Sequence, residues 1–212
     1  MKTCQKRAQI AQPFMPKSNA HPPLILASSS PYRRLLLEKL GLPFHCASPD
    51  VNESRLPGEA PETLARRLAE SKARALAADF PDHLVIGSDQ VATVDERVLG
   101  KPGGREAAIE QLQLAAGKAV SFHTGLYVWN SREQRGLGDL DTTTVHFRPL
   151  TRRQIEAYVE REAPYDCAGG FKSESLGIVL FERIEGDDPN ALVGLPLIRL
   201  VTLLQRFGVA VL

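Results

Sequence analysis

A four-residue apolar run, Leu24–Ala27, passes through three serines into Ser30-Pro31 and a leucine-rich segment, and this junction constrains the fold more than any other stretch. Serine at an N-cap followed by proline at the first helical position starts a helix, and Gly41 supplies its stop. The junction therefore predicts a strand over 24–27 turning at once into a helix over 31–40. A helix start carries unpaired amides and the positive end of the dipole, so this turn suits an anion, with Arg33 as the added cation. An ordinary βα turn with solvated arginines is the plainer alternative.

From Leu24 onward the pattern alternates without a long linker or repeat. It predicts strand 43–47, helix 61–79 opened by Pro61, strand 83–87, a hairpin over 91–100 turning at Asp95-Glu96, and helix 104–115 ended by Gly117. A longer hairpin follows, 119–129 with 139–148. Thr151 caps a helix over 152–161, a strand covers 176–183, and Pro196 opens a last helix to about Phe207 with Leu197, Leu200, Val201 and Leu204 on one face. Mixed βα units and hairpins imply an α/β fold with a mixed sheet. Residues 1–23 lack periodicity and read as a disordered extension, or as a start placed too early with Met15 the true one; residues 24–212 read as one domain.

The 212 residues are 43% hydrophobic and 24% charged, as in a soluble globular chain, and 26 Lys and Arg nearly balance 25 Asp and Glu. No global field is available to hold DNA or RNA, so phosphate recognition has to be local. No apolar run spans a bilayer and no signal-peptide core is present, so a cytoplasmic protein is expected. Cys4, Cys46 and Cys167 are odd in number and widely spaced, against both disulfides and a zinc site; Cys46 and Cys167 are expected to be buried thiols. The scattered histidines form no HExxH and there is no GxSxG, which removes most of the case for a metalloprotease or serine hydrolase.

Three further groups stand out. His83–Ile86 enters Gly87-Ser88-Asp89-Gln90, which places Asp89 at a strand end, where an acid can hold a divalent cation or take a proton from water. A turn aspartate bonded to its own backbone is the alternative. Lys101, after the hairpin, could return toward the same place or be a solvated edge lysine. In the helix from Pro61, Leu64, Leu68, Lys72 and Leu76 lie four apart, so Lys72 interrupts the core stripe. Its ammonium either reaches water along a packed stem or lies at a cleft floor neutralising a carboxylate or phosphate. Glu53 is a candidate partner, though spacing does not separate it from Asp50. The glycine turn Tyr165–Gly177 reads as a surface loop and Glu185–Leu197 as a structural closure.

Together, ASSSPYRRLLLEKLG, GSDQ at a strand, LGKP, AGGFKSES and GDDPNALVGLPL, in this order over residues 24–207, resemble the Maf family of nucleotide pyrophosphatases. The resemblance implies an elongated two-lobed α/β domain of the inosine triphosphate pyrophosphatase type with its site between the lobes. It also implies attack of water between the α- and β-phosphates of a nucleoside triphosphate, assisted by Mg²⁺, Mn²⁺ or Co²⁺. Matched residue by residue, it puts the catalytic acid on Asp89 and further charged groups on Glu53, Lys72, Lys101 and Arg33, with Ser28 in the first loop. Asp89 and Glu53 would hold the metal. Tyr32, Gln90 and Glu174 stand where dTTP- and UTP-hydrolysing members carry other residues, and the set resembles the subgroup acting on 7-methylguanosine triphosphate. A dTTP or UTP pyrophosphatase and a non-catalytic regulator of cell division or septum formation are the competing readings; monomer and homodimer both remain open.

Overall fold

The structure, a computed structural model, describes residues 21–212. The expected N-terminal extension and Cys4 lie largely or wholly outside the described residues. One seven-stranded mixed sheet organises the chain: β1 (Leu24–Ala27), β2 (Phe44–Ala47), β3 (Leu84–Val94), β4 (Arg97–Leu99), β5 (Ala119–Asn130), β6 (Arg135–Phe147) and β7 (Phe181–Glu185). The strand order is β2-β1-β3-β5-β6-β7, with β4 also on β3. Strand β1 runs parallel to β2 and β3, and the other pairs are antiparallel. The helices are α1 (Pro31–Glu38), α2 (Pro61–Ala75), α3 (Arg105–Ala115), α4 (Arg152–Glu162) and α5 (Leu197–Arg206).

The expected junctions form as the local chemistry dictates. Ser30 Oγ accepts from the Arg33 amide at 3.4 Å, with Pro31 opening α1. Thr151 and Gln154 make a reciprocal capping box on α4. Asp95 and Glu96 both adopt positive φ, 46° and 66°, as the tight turn between β3 and β4 requires.

Several boundaries differ from the sequence pattern. Strand β3 does not stop at Gly87 but continues to Val94, because β5 pairs with it from Leu84 to Thr93. Asp89 is therefore mid-strand. Strand β6 begins at Arg135 rather than 139; Gly136 and Gly138 read as loop residues but lie flat beneath the Tyr127 ring, where a Cβ would collide. The apolar stretch expected as strand 176–183 is a 3₁₀ helix over Leu176–Leu180, its turn packed where Gly177 meets the Lys172 carbonyl, and only then β7. On α5 Leu203, not Val201, completes the buried face. Cys46 is exposed, since β2 is a short edge strand with no fully buried residue, and Cys167 is half-buried.

The apolar interior divides along the three long strands. Leu84, Ile86, Leu126 and Val128 join α1 and α5 in one core. At the other end Ala92, Val94, Phe122 and Val145 join α3, α4 and β7 in a second. Between these two cores β3 and β5 carry Ser88, Asp89, Gln90 and Thr124, with Val91 packed against α2. Helix α2 packs unusually close to this middle: Gly87 and Gly125 lie against the carbonyls of Ala69 and Ala65, leaving no room for a Cβ. No helix among the described residues is long and apolar enough to cross a membrane.

Candidate active site

Strand β1 pairs with β3 only as far as Ile86, and β4 begins pairing at Ala92. Because β5 covers the opposite edge of β3 along nearly its full length, β1 and β4 share one edge, and Gly87–Val91 have no strand neighbour there. This window opens into a cleft of about 580 Å³, flanked by the β1–α1 turn at Ser28 and by Lys101 after β4. Asp89 thus reaches a ligand-accessible edge from mid-strand, which a loop at a strand end would otherwise provide.

Alternation along β3 sends neighbouring side chains to opposite faces. Asp89 faces α2, where the buried Lys72 Nζ lies 2.5 Å from Asp89 Oδ1 and 2.7 Å from Glu53 Oε1. The interrupted leucine stripe is explained: Leu64, Leu68 and Leu76 are buried, and Lys72 fills the fourth position with its charge spent on two carboxylates. Glu53, not Asp50, is its loop partner. Burial raises the Glu53 carboxyl pKa, but the hydrogen bond and charge of Lys72, aided by Lys101 and Arg33, outweigh burial and hold it below its ordinary value.

Ser88, Gln90 and Thr124 face the other way, toward the segment preceding α5. Ser88 Oγ lies 2.9 Å from the carbonyls of both Gly125 and Gly194, and Arg33 Nε donates to the same Gly194 carbonyl at 2.8 Å. Arg33 Nη1 lies 3.5 Å from Ser28 Oγ. Burial lowers the Arg33 pKa while Asp89 and Glu53 pull it back up, and a guanidinium stays protonated throughout. Gln90 Nε2 lies within 3.0 Å of Thr124 Oγ1 and the carbonyls of Ala191 and Leu192. Its amide is thereby engaged in holding the 191–194 segment.

The far wall holds Tyr32, Asp166, Cys167 and Glu174. The Tyr32 phenol pKa is raised by burial and then by Cys167, Asp166 and Glu174, and the Cys167 thiol is pushed up to about 12 by burial first. Acidic groups thus surround Tyr32, while Arg33, Lys72 and Lys101 surround Asp89 and Glu53.

All nine expected residues, Ser28, Tyr32, Arg33, Glu53, Lys72, Asp89, Gln90, Lys101 and Glu174, line this single cleft. Sequence reasoning missed Ser88 and the 191–194 segment, which read as structural closure yet supplies the carbonyl anchoring Arg33; Gly194, with φ 117°, was its one signal. It also missed Glu59 and Arg67, which tie down the loop carrying Glu53.

Two carboxylates thus meet on one buried ammonium, with Arg33 and Lys101 lining the same cleft. The chain belongs to the Maf family: the family described as Maf-like protein matches residues 23–207. It is 57% identical over 190 residues to the 7-methyl-GTP pyrophosphatase of Pseudomonas aeruginosa, covering 90% of this chain and 99% of that protein. The Pseudomonas syringae pv. syringae protein of the same name is 56% identical with the same coverage. That of Nitrosococcus oceani is 53% identical over 195 residues, 92% of this chain and 98% of its own. Among solved structures, the Staphylococcus aureus Ham1 protein overlays 60% of this chain and 72% of its own at a TM-score of 0.44 and 18% identity.

Proposed function

We propose that this protein is a nucleoside triphosphate pyrophosphatase that hydrolyses 7-methyl-GTP to 7-methyl-GMP and pyrophosphate. The observation that carries the reading is the charge separation along the cleft. Arg33, Lys72 and Lys101 gather around Asp89 and Glu53, three cations to two carboxylates, whereas Asp166 and Glu174 stand beside Tyr32 with no cation among the groups acting on it. N7-methylguanine is a cation and its triphosphate an anion, so this substrate matches both clusters, whereas an unmethylated base leaves the acidic cluster without a counterpart. The shared name of the relatives, over nearly the whole chain, supports the same substrate.

In this mechanism Arg33 and Lys101, with the α1 amides, neutralise the phosphate oxygens, and Lys72 holds the two carboxylates that face them. Water adds to the α-phosphorus as the bond to the α–β bridging oxygen breaks, and pyrophosphate leaves with the electron pair. The water proton passes to the Asp89–Glu53 pair, the two carboxylates that share Lys72. Each carboxylate gives Lys72 one oxygen, Oδ1 and Oε1, leaving the second of each for another partner. Among the described residues no three acidic, histidine or cysteine side chains form a metal cage. Two carboxylates completed by phosphate oxygens and water suit a hard divalent cation, so Asp89 and Glu53 would hold Mg²⁺, Mn²⁺ or Co²⁺. Such an ion, when bound, neutralises phosphate charge and acidifies the attacking water.

Tyr32 presents an aromatic face to the cationic base, and Glu174 accepts from the adjacent guanine N1 and N2 donors. Free thiols at Cys46 and Cys167 suit a cytoplasmic setting. The test is a pyrophosphate-release panel over 7-methyl-GTP, GTP, UTP and dTTP with each metal. Highest kcat/KM for 7-methyl-GTP is expected; preference for UTP or dTTP reassigns the base, and no hydrolysis of any triphosphate leaves the non-catalytic regulator.

A further inference from the structure

Glu53 stands on a loop that has almost nothing to hold it. From Asn52 to Ala60 every residue is exposed except Glu59. The one buried anchor is therefore a carboxylate rather than an apolar side chain. Arg67, on α2, closes on it with a two-pronged contact, Nε to Oε1 at 2.6 Å and Nη2 to Oε2 at 2.8 Å. The same Nη2 donates to the Ser54 carbonyl at 3.0 Å, one residue from Glu53. Glu59 Oε2 also accepts the Leu56 amide at 3.1 Å, and Arg55 Nε donates to the Glu59 carbonyl at 2.8 Å. The Arg67 hydrogen bonds, opposed by burial and aided by the Leu56 amide, hold the Glu59 carboxyl down to about 2, so the clamp stays ionised at any working pH.

Arg67 sits five residues before Lys72 on the same helix. The clamp thus references the Glu53 loop to the element that carries the ammonium Glu53 must meet. Lys72 alone cannot do this, because it is already shared with Asp89 and the Glu53 side chain is 59% exposed.

We infer that Glu59 and Arg67 are positioning residues that hold Glu53 at Lys72 and Asp89 and so set the divalent-cation affinity of the cleft. The inference rests on the pyrophosphatase reading for its kinetic consequence but not for its binding consequence. Neither side chain is among those lining the cleft, so their loss acts through Glu53. A planar fork matters here as well as a charge, since only a guanidinium reaches both Glu59 oxygens and the Ser54 carbonyl together.

The experiment is a double-mutant cycle with two readouts. Glu59→Gln is expected to lower kcat for 7-methyl-GTP at least tenfold with KM changed less than threefold. It should weaken Mn²⁺ binding to the nucleotide-free protein, measured by calorimetry, at least threefold, and speed amide exchange over residues 52–58 but not over α2. In a Glu53→Ala background the same change should alter residual kcat and Mn²⁺ affinity less than twofold, because the group it positions is gone. Arg67→Lys should fall between wild type and Arg67→Met; if Arg67→Met does not fold, Glu59→Gln and Arg67→Lys decide. Equal losses with and without Glu53, or unchanged exchange over 52–58, overturn the inference. Inactive wild-type protein would instead overturn the pyrophosphatase reading, with calorimetry and exchange still deciding the positioning role.

Discussion

Lys72 and Asp89, 17 residues apart, meet at 2.5 Å with both side chains about nine-tenths buried. Such a pair is tolerated only while complete, because removing one member leaves the other charged and desolvated. Lys72→Met should therefore destabilise the protein by about 3–5 kcal/mol, lowering the melting temperature by roughly 10 °C. Asp89→Asn leaves Lys72 paired with Glu53, so it should abolish turnover with a much smaller loss of stability. Thermal melts of the two variants side by side check this; equal melting temperatures would contradict it.

The acid limb of the kcat/KM profile should lie below the ordinary carboxyl range. Glu53 is held low in the folded protein, so its charged form persists as pH falls and is lost only near its depressed value. Lys101→Met removes one of the cations responsible, which raises the Glu53 pKa and should shift the acid limb to higher pH. A limb that stays in place would mean that another group sets it.

Glu174→Gln should lower kcat/KM for 7-methyl-GTP at least tenfold, which corresponds to about 1.4 kcal/mol, and raise it for UTP or dTTP. A carboxylate accepts from both guanine donors, while an amide can accept from N3 of a pyrimidine and donate to its carbonyl. Tyr32→Ala should weaken 7-methyl-GTP more than GTP, since only the methylated base brings a charge to the ring. Unchanged substrate ratios in both variants would remove these two residues from base recognition.

Gln90→Ala should lower activity on 7-methyl-GTP and on UTP by the same factor. Its amide anchors the carbonyls of Ala191 and Leu192, on the segment whose Gly194 holds Arg33, so its loss loosens a phosphate ligand rather than a base contact. The Ala191 carbonyl keeps the Thr124 hydroxyl, but leaving the Leu192 carbonyl without its Gln90 donor costs about 1–3 kcal/mol. A change in the 7-methyl-GTP to UTP ratio would restore Gln90 as a base reader.

Gly125→Ala should destabilise by about 3 kcal/mol or more, as the new methyl meets the Ala65 carbonyl and pushes α2 from the sheet. Residual activity should fall with it, because α2 carries Lys72. Urea denaturation measures the first effect, and retained wild-type stability would show that α2 can move outward freely.

What could be read in advance follows from the range of the interactions. Ser30-Pro31 and Thr151 act within four residues, so both helix starts are visible in the sequence. Lys72 is visible because helical spacing exposes a charge in an apolar stripe, and Glu53 is a candidate partner that spacing does not separate from Asp50; its contact with Asp89 across 17 residues has no local signal. Asp89 was placed at a strand end because Gly87-Ser88 reads as a break; only pairing with β5 carries the strand through. Gln90 finds its acceptors 101 and 102 residues downstream, and no local pattern reports that. Glu59 looks like any loop glutamate until Arg67 folds over it.

The missing neighbour along Gly87–Val91 also bears on how the molecule avoids its own kind. Unpaired strand edges invite foreign strands, and long flat ones seed aggregation. Here the free edge is five residues long, stopped at one end by β1 and at the other by β4, with Gly87, Ser88, Asp89 and Val91 buried. A foreign strand has no length along which to dock. The chain thus carries its cleft-facing edge in the interior of a sheet, where intermolecular β-pairing cannot reach it.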